Sequence, residues 1–405
     1  SLRNDVLTVL GGTRIVMPHL EELATRSLVM TRAYANATLS AYADPSVVSS
    51  QHPLRSWNYR SYPDPVPYPR VLLWDLLAPR GYATAIISSQ NEHWGGMLNF
   101  LHTPSLGYVF HGETFHQSYV PDGEAGFAEW AAQFKRSGKV DDADTTTELI
   151  RYVRETKQPF VVYANFQNSH FPYRYPEPGP FQPSQVDFHY TFFAFPRDKI
   201  DVVKNRYHNA LHFIDAQLGR LFSALKETGA WDNTIIAIAG DNGEAFLEHG
   251  VAGHGTTPYE ELIRVPVILH APGLEAQVSD RLSQHLDLVP TILSLLGMPA
   301  HPGFQGASML SGEKPATPIF SVVQITTIRE LAVIDGTWKL IADGETKREV
   351  YDLATDPAEK NNLWGTDRKR DERLFNLLLS FRKAQLSYYS DPARWPGEYV
   401  PSLSP

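Results

Sequence analysis

The sequence predicts an α/β protein built on a mostly parallel sheet with helices over both faces, followed by a small antiparallel subdomain. Two observations carry this. Between residues 18 and 296, apolar runs of strand length alternate with amphipathic stretches of helical period, a rhythm that packs as helices on a parallel sheet. Near residue 310 it gives way to short strands joined by Gly and Asp turns. With 405 residues and 42% hydrophobic content, the chain can bury a sizeable core.

Leu20, Leu23 and Ala24 share one face of a helix opening at Pro18, and Val71 to Leu77 reads as a second short helix. Ala83 to Ser88 is a strand. Residues 142–156 place Leu149, Ile150 and Val153 on one helical face, and Pro159 then introduces the strand 160–164. From 198 to 228, Val202, Val203, Tyr207, Leu211, Ile214, Leu218, Leu221, Phe222 and Leu225 recur at three and four, predicting a long amphipathic helix. The strand 234–239 follows, then a strand from Val265 to His270 and a helix from Leu286 to Leu296. Strands at 318–324, 331–334, 337–341 and 349–353, with a closing helix at 371–388, make the second unit. The division expected is therefore 1–310, 311–388, and an extended surface tail 389–405. Pro- and aromatic-rich stretches at 52–69 and 171–197 read as long loops of the kind that border a cleft.

A formal charge of −9 argues against a general affinity for nucleic acid or anionic membranes. The absence of cysteine excludes disulfides and Fe–S clusters and leaves cytoplasmic and extracytoplasmic compartments equally open. No apolar run is long enough to span a membrane. The oligomeric state is not legible.

One stretch stands out. Thr234-Ile-Ile-Ala-Ile-Ala-Gly240-Asp241-Asn242-Gly243-Glu244 is an apolar run ending in a carboxylate and a carboxamide. It reads as a buried strand delivering ligands at the sheet edge where open α/β folds bind them. Asp241 and Asn242 both offer oxygen to a hard cation, Ca²⁺ or Mg²⁺ before Mn²⁺ or Zn²⁺. The bland alternative is an Asx turn closing a strand.

Further segments match one family in order: Pro18-His-Leu-Glu-Glu-Leu-Ala, Gly81-Tyr-Ala-Thr-Ala, Asn168-Ser-His170-Phe-Pro-Tyr173, Glu248-His249-Gly250, Tyr259-Glu-Glu-Leu-Ile-Arg264-Val-Pro266, Asp287-Leu-Val-Pro-Thr and Asp356-Pro-Ala-Glu359. Together with Gly240-Asp241-Asn242-Gly243 they resemble the sulfatases of the alkaline-phosphatase superfamily. The resemblance implies an alkaline-phosphatase-like α/β/α sandwich with a small C-terminal sheet. It also implies one divalent metal ion and attack on a small anionic sulfate or phosphate ester by an oxygen nucleophile.

By the family's spacing from Pro45-Ser46-Val-Val-Ser49, the nucleophile falls on Ser40, with Thr38 the fallback. Ser40 would then also touch the metal held by Asp241 and Asn242, and a hydroxyl beside a dication is more readily deprotonated. His170 and His254 are the implied contacts of the transferred group or leaving oxygen. Glu244 and His249 are expected behind them, and His93 in place of a lost basic residue.

Departures from the pattern matter as well. Tyr42 and Asp44 stand where formylglycine-generating sulfatases carry Pro and Arg, so that maturation is not expected. Asp44 reads as the N-cap of the following helix. The Thr38-Leu-Ser40-Ala-Tyr segment is similar to phosphoethanolamine transferases, whereas Asp241-Asn242 is the sulfatase-like metal pair. A further acidic ligand is expected just before Ser1, on a first strand absent from this sequence, while Asp5 reads as structural. Three functions stay in play: ester hydrolase, phosphoethanolamine- or phosphoglycerol-type transferase without its membrane anchor, and catalytically silent binding domain.

Overall fold

The computed structural model describes residues 1–56, 61–118, 138–310, 318–325, 328–343, 346–396 and 398–401. The expected break at 310 falls at the edge of a stretch outside them. Two β-sheets form the body. In one, Gln277–Ser279, Leu28–Met30, Val267–His270 and Ile236–Ala239 lie side by side in that order, and Val267–His270 runs against both its neighbours. In the other, Ala83–Ser88 lies between Tyr108–Phe110 and Phe160–Asn165, all parallel.

The strand leading to Asp241 was expected to be covered on both faces, and here the structure differs. Ile236, Ile238 and Ala239 are only half-buried and Ala237 is exposed. Among the described residues Ile236–Ala239 is an edge strand, paired on one side alone, and Phe160–Asn165 is the edge of the other sheet.

The helices follow from their patterning. Ile200–Glu227 runs for 28 residues and buries Val203, Tyr207, Leu211, Ile214, Leu218, Phe222 and Leu225 along one stripe. At about 1.5–3 kcal/mol per fully buried side chain, this stripe outweighs any propensity term in holding so long a helix. Its Asp215 carboxylate accepts from the backbone N–H groups of His19 at 2.9 Å and Leu20 at 2.8 Å, so one helix satisfies the free first turn of the Pro18–Ala24 helix. Asp141 caps Asp142–Glu155 by accepting from Ala143 N–H at 3.0 Å.

Ile319–Ile325, Ile328–Asp335, Trp338–Ala342 and Arg348–Asp352 form a four-stranded antiparallel meander covered by the helix Arg368–Tyr389. The chain beyond does not simply lie extended. Tyr388 and Tyr389 are buried, Pro392–Arg394 makes a helical turn, and the Trp395 indole donates to Tyr388 O at 3.1 Å.

The meander is joined to the body by a buried ion cluster. Lys339 is fully buried, its ammonium 3.0 Å from Glu260 and 2.8 Å from Glu359. Burial alone would discharge this lysine, but the two carboxylates hold its pKa above the usual value. Lys339→Ala would leave two carboxylates facing each other without a cation. A loss of about 3–5 kcal/mol is expected in urea unfolding, and a midpoint equal to the parent's would show the cluster to be dispensable.

Candidate active site

Ser40 and Asp241 meet although 201 residues separate them: the Ser40 hydroxyl donates to Asp241 Oδ2 at 2.5 Å. Ser40 is the first residue of the helix Ser40–Ser49, and Asp241 follows the edge strand Ile236–Ala239. Gly240, between strand and ligand, lets the backbone of Leu2 come close, since a Cβ there would stand 2.5 Å from Leu2 O. The imidazole of His285, wholly buried, donates through Nε2 to Gly240 O at 2.8 Å and fixes the carbonyl just before Asp241. Thr38 is buried, with no hydrogen-bond partner for its hydroxyl among the described residues.

Asn242 is completely buried. Its amide nitrogen donates to Gly243 O at 2.7 Å and Ser1 Oγ at 3.2 Å, whereas its Oδ1 has no partner among the described residues. An orphaned buried acceptor is costly unless something fills it. A carboxylate, a carboxamide oxygen and a hydroxyl are the donor set of a hard divalent cation, and the residues present fit one.

His170 and His254 stand edge to face with ring centroids 5.2 Å apart, and Phe192 packs on both at 5.6 Å and 4.7 Å. The His170 Nδ1 lies 2.8 Å from Phe171 O, which places its proton there and makes Nε2 the accepting nitrogen. Burial, then the charges of Lys139 and His254, hold His170 well below the ordinary imidazole pKa, so it is neutral. His254 is buried with Nδ1 3.0 Å from Glu244 Oε2. Arg3 donates to the Glu244 backbone carbonyl at 2.6 Å. Asp5 is structural, forming a two-point pair with Arg3 at 2.8 and 2.7 Å.

Other assignments change. Asp44 is not the N-cap, a position held by Leu39. It lies within the helix, buried, hydrogen-bonded to Tyr163 and facing Asp241 and Glu92. Burial and those two charges push its pKa well above the carboxylate range. His249 serves the frame: its two nitrogens meet Glu261 Oε1 at 2.8 Å and Glu359 O at 3.1 Å, and its ring stacks on Tyr259. His93 pairs with Glu113 at 2.6 Å instead of reaching the Ser40–Asp241 contact.

Sequence reasoning missed Lys139, Glu92 and Tyr163. Lys139 is buried and acts electrostatically on His170. Nothing in Gly138-Lys139-Val140 distinguishes it. Glu92 follows one parallel strand and Tyr163 lies within another, and no local motif marks either.

A family model described as "Sulfatase" matches residues 1–298. The chain belongs to the sulfatase family. It is 25% identical over 422 residues to the Delta 4,5-hexuronate-2-O-sulfatase of Bacteroides thetaiotaomicron, covering 89% of this chain and 82% of that one. It is 23% identical over 261 residues to an uncharacterized sulfatase, YidJ, of Escherichia coli, covering 57% of this chain and 52% of the relative. The chain thus spans about half the length of that relative, and less of the algal arylsulfatases it also matches. The phosphonate monoester hydrolase of Agrobacterium radiobacter superposes with a TM-score of 0.70 at 18% identity, over 95% of this chain and 94% of that one. The sulfatase fold here is the alkaline-phosphatase-like one, as expected.

The loop carrying His170 is anchored on a buried carboxylate. Asp142 accepts from Gln167 N–H at 2.9 Å, from Asn168 N–H at 2.8 Å and from the Ser89 hydroxyl. Burial outweighs these bonds and raises its pKa from 3.8 to about 6. The folded state thus binds a proton more tightly than the unfolded one. The resulting stability is complete below pH 3.8 and is lost as pH rises towards about 6, by about 3 kcal/mol. Asp142→Asn is expected to remove that slope in denaturation measured from pH 4 to 7 with chelator present. An unchanged slope would assign it to other groups.

Proposed function

We propose that the chain is a metal-dependent hydrolase of sulfate or phosphate esters in which Ser40 is the nucleophile. The observation that carries this reading is the 2.5 Å contact between Ser40 and Asp241 beside the unfilled oxygen of Asn242. Ser40, Asp241 and Asn242 would hold the ion, with Ca²⁺ or Mg²⁺ favoured by an all-oxygen donor set. When bound, a divalent cation acidifies the serine hydroxyl and offsets the charge of the ester group.

The chain's own residues do the rest. Ser40 Oγ attacks sulfur or phosphorus while the bond to the ester oxygen breaks. The serine proton would pass to His170 Nε2, left as the acceptor by the Nδ1 contact with Phe171 O, and return to the departing oxygen. Lys139 and His254 attract the transferred anion, and water then releases it from Ser40. The names of the hexuronate sulfatase and the phosphonate monoester hydrolase support a small anionic ester as substrate.

The test uses chromogenic sulfate and phosphate esters with chelated protein and added Mg²⁺, Ca²⁺, Mn²⁺ or Zn²⁺. Turnover should need the metal, and Ser40→Ala should lower kcat by about 1,000-fold or more. Equal rates for Ser40→Ala and parent would eliminate the serine. His170→Ala should lower kcat by about 10²–10⁴-fold, and a loss confined to KM would reduce it to a binding residue.

A further inference from the structure

A second group of metal-type ligands lies outside the Ser40–Asp241 centre. His93, His111 and Glu113 each offer a ligand atom, and these atoms lie within 4.8 Å of one another. We propose that these three residues form a separate binding site for a borderline divalent transition ion of the Zn²⁺ class.

The fold brings them together for a definite reason. Ala83–Ser88 and Tyr108–Phe110 run parallel with Ile87 opposite Phe110, so the segments that follow them, carrying His93 on one and His111 and Glu113 on the other, emerge side by side at the same sheet edge. Backbone bonds then lock them: Gly112 N–H donates to Gln90 O at 3.0 Å, and Thr114 N–H to His111 O at 2.9 Å. Gly112 is required there, because a Cβ would stand 2.0 Å from Gly138 O. The ligands are thus presented by a fixed frame, and only short side-chain movements remain.

The chemistry of the set separates it from the oxygen-only centre. Two imidazoles and one carboxylate suit Zn²⁺ and its neighbours, and poorly suit Mg²⁺ or Ca²⁺. His93 Nε2 and Glu113 Oε2 are 2.6 Å apart, sharing a proton that an ion would replace. The His93 and His111 ring centroids are 5.3 Å apart at 62°, with the rings crossed and not stacked. Tetrahedral Zn²⁺ places its ligand atoms roughly 3.3 Å from one another, so the three need to close in from the present spread of up to 4.8 Å.

His111 is buried, while His93 and Glu113 side chains are each 34% exposed, which leaves an entry route and a place for water as fourth ligand. The ring of His111 gives up one contact at most, the long 3.3 Å approach of Glu92 N–H to Nδ1. Because Glu92 itself faces Asp44, an ion bound here would add positive charge beside the acidic side of the Ser40–Asp241 centre.

The experiment is a Co²⁺ and Zn²⁺ titration of the full chain in excess Mg²⁺ and Ca²⁺, read by Co²⁺ visible absorption and by the Tm change on adding Zn²⁺. The parent should take up one ion that the excess does not displace, with absorption typical of a four-coordinate site. His93→Gln and Glu113→Gln alter partly exposed side chains. They should weaken binding by about 100-fold or more and abolish the Zn²⁺-dependent Tm rise, while their metal-free Tm matches the parent's. Asp241→Asn should keep the ion. Parent-like binding by His93→Gln and Glu113→Gln, or loss of all Zn²⁺ binding in Asp241→Asn, would overturn the proposal.

Discussion

A carboxylate drawn partly out of water must be met by cations and hydrogen-bond donors, and the surroundings of Asp241 are arranged around that demand. The Ser40 hydroxyl donates to it and His254 acts on it electrostatically, while burial and the charges of Asp241 and Glu92 push the pKa of the facing Asp44 well above the carboxylate range. His285 fixes the backbone one residue earlier.

Much of the fold was legible because it rests on periodicity. The long helix 200–227, the strands 83–88 and 160–165 and the four-stranded meander appear where apolar spacing places them. Periodicity says nothing about neighbours, however, and this is why the strand before Asp241 was read as enclosed. An apolar run of Thr234-Ile-Ile-Ala-Ile-Ala looks the same whether a strand pairs on one side or two. The short strand Leu28–Met30 carries too little pattern to announce itself, yet it lies between Gln277–Ser279 and Val267–His270 in the larger sheet.

The candidate site was legible only where motif and spacing coincide. Ser40, Asp241, Asn242, His170 and His254 came from ordered matches, and the structure brings them to one region. Lys139, Glu92 and Tyr163 belong to it through tertiary placement alone. Asp44 shows the limit most clearly: position five of a helix and N-cap of a helix differ by a few residues of register, and single-sequence reading does not resolve boundaries that finely. The change of register turns a capping group into a partner of Tyr163 that looks into the centre.

Phe192 lies against the rings of both His170 and His254. The two imidazoles are therefore geared through a single phenyl ring, and neither can swivel far unless that ring swings out of the way. In a close-packed interior such a linkage has a few discrete settings in place of a continuum. On the reading proposed above, an arriving ester would meet the pair as one preset jaw, with proton acceptor and anion contact already at a common angle.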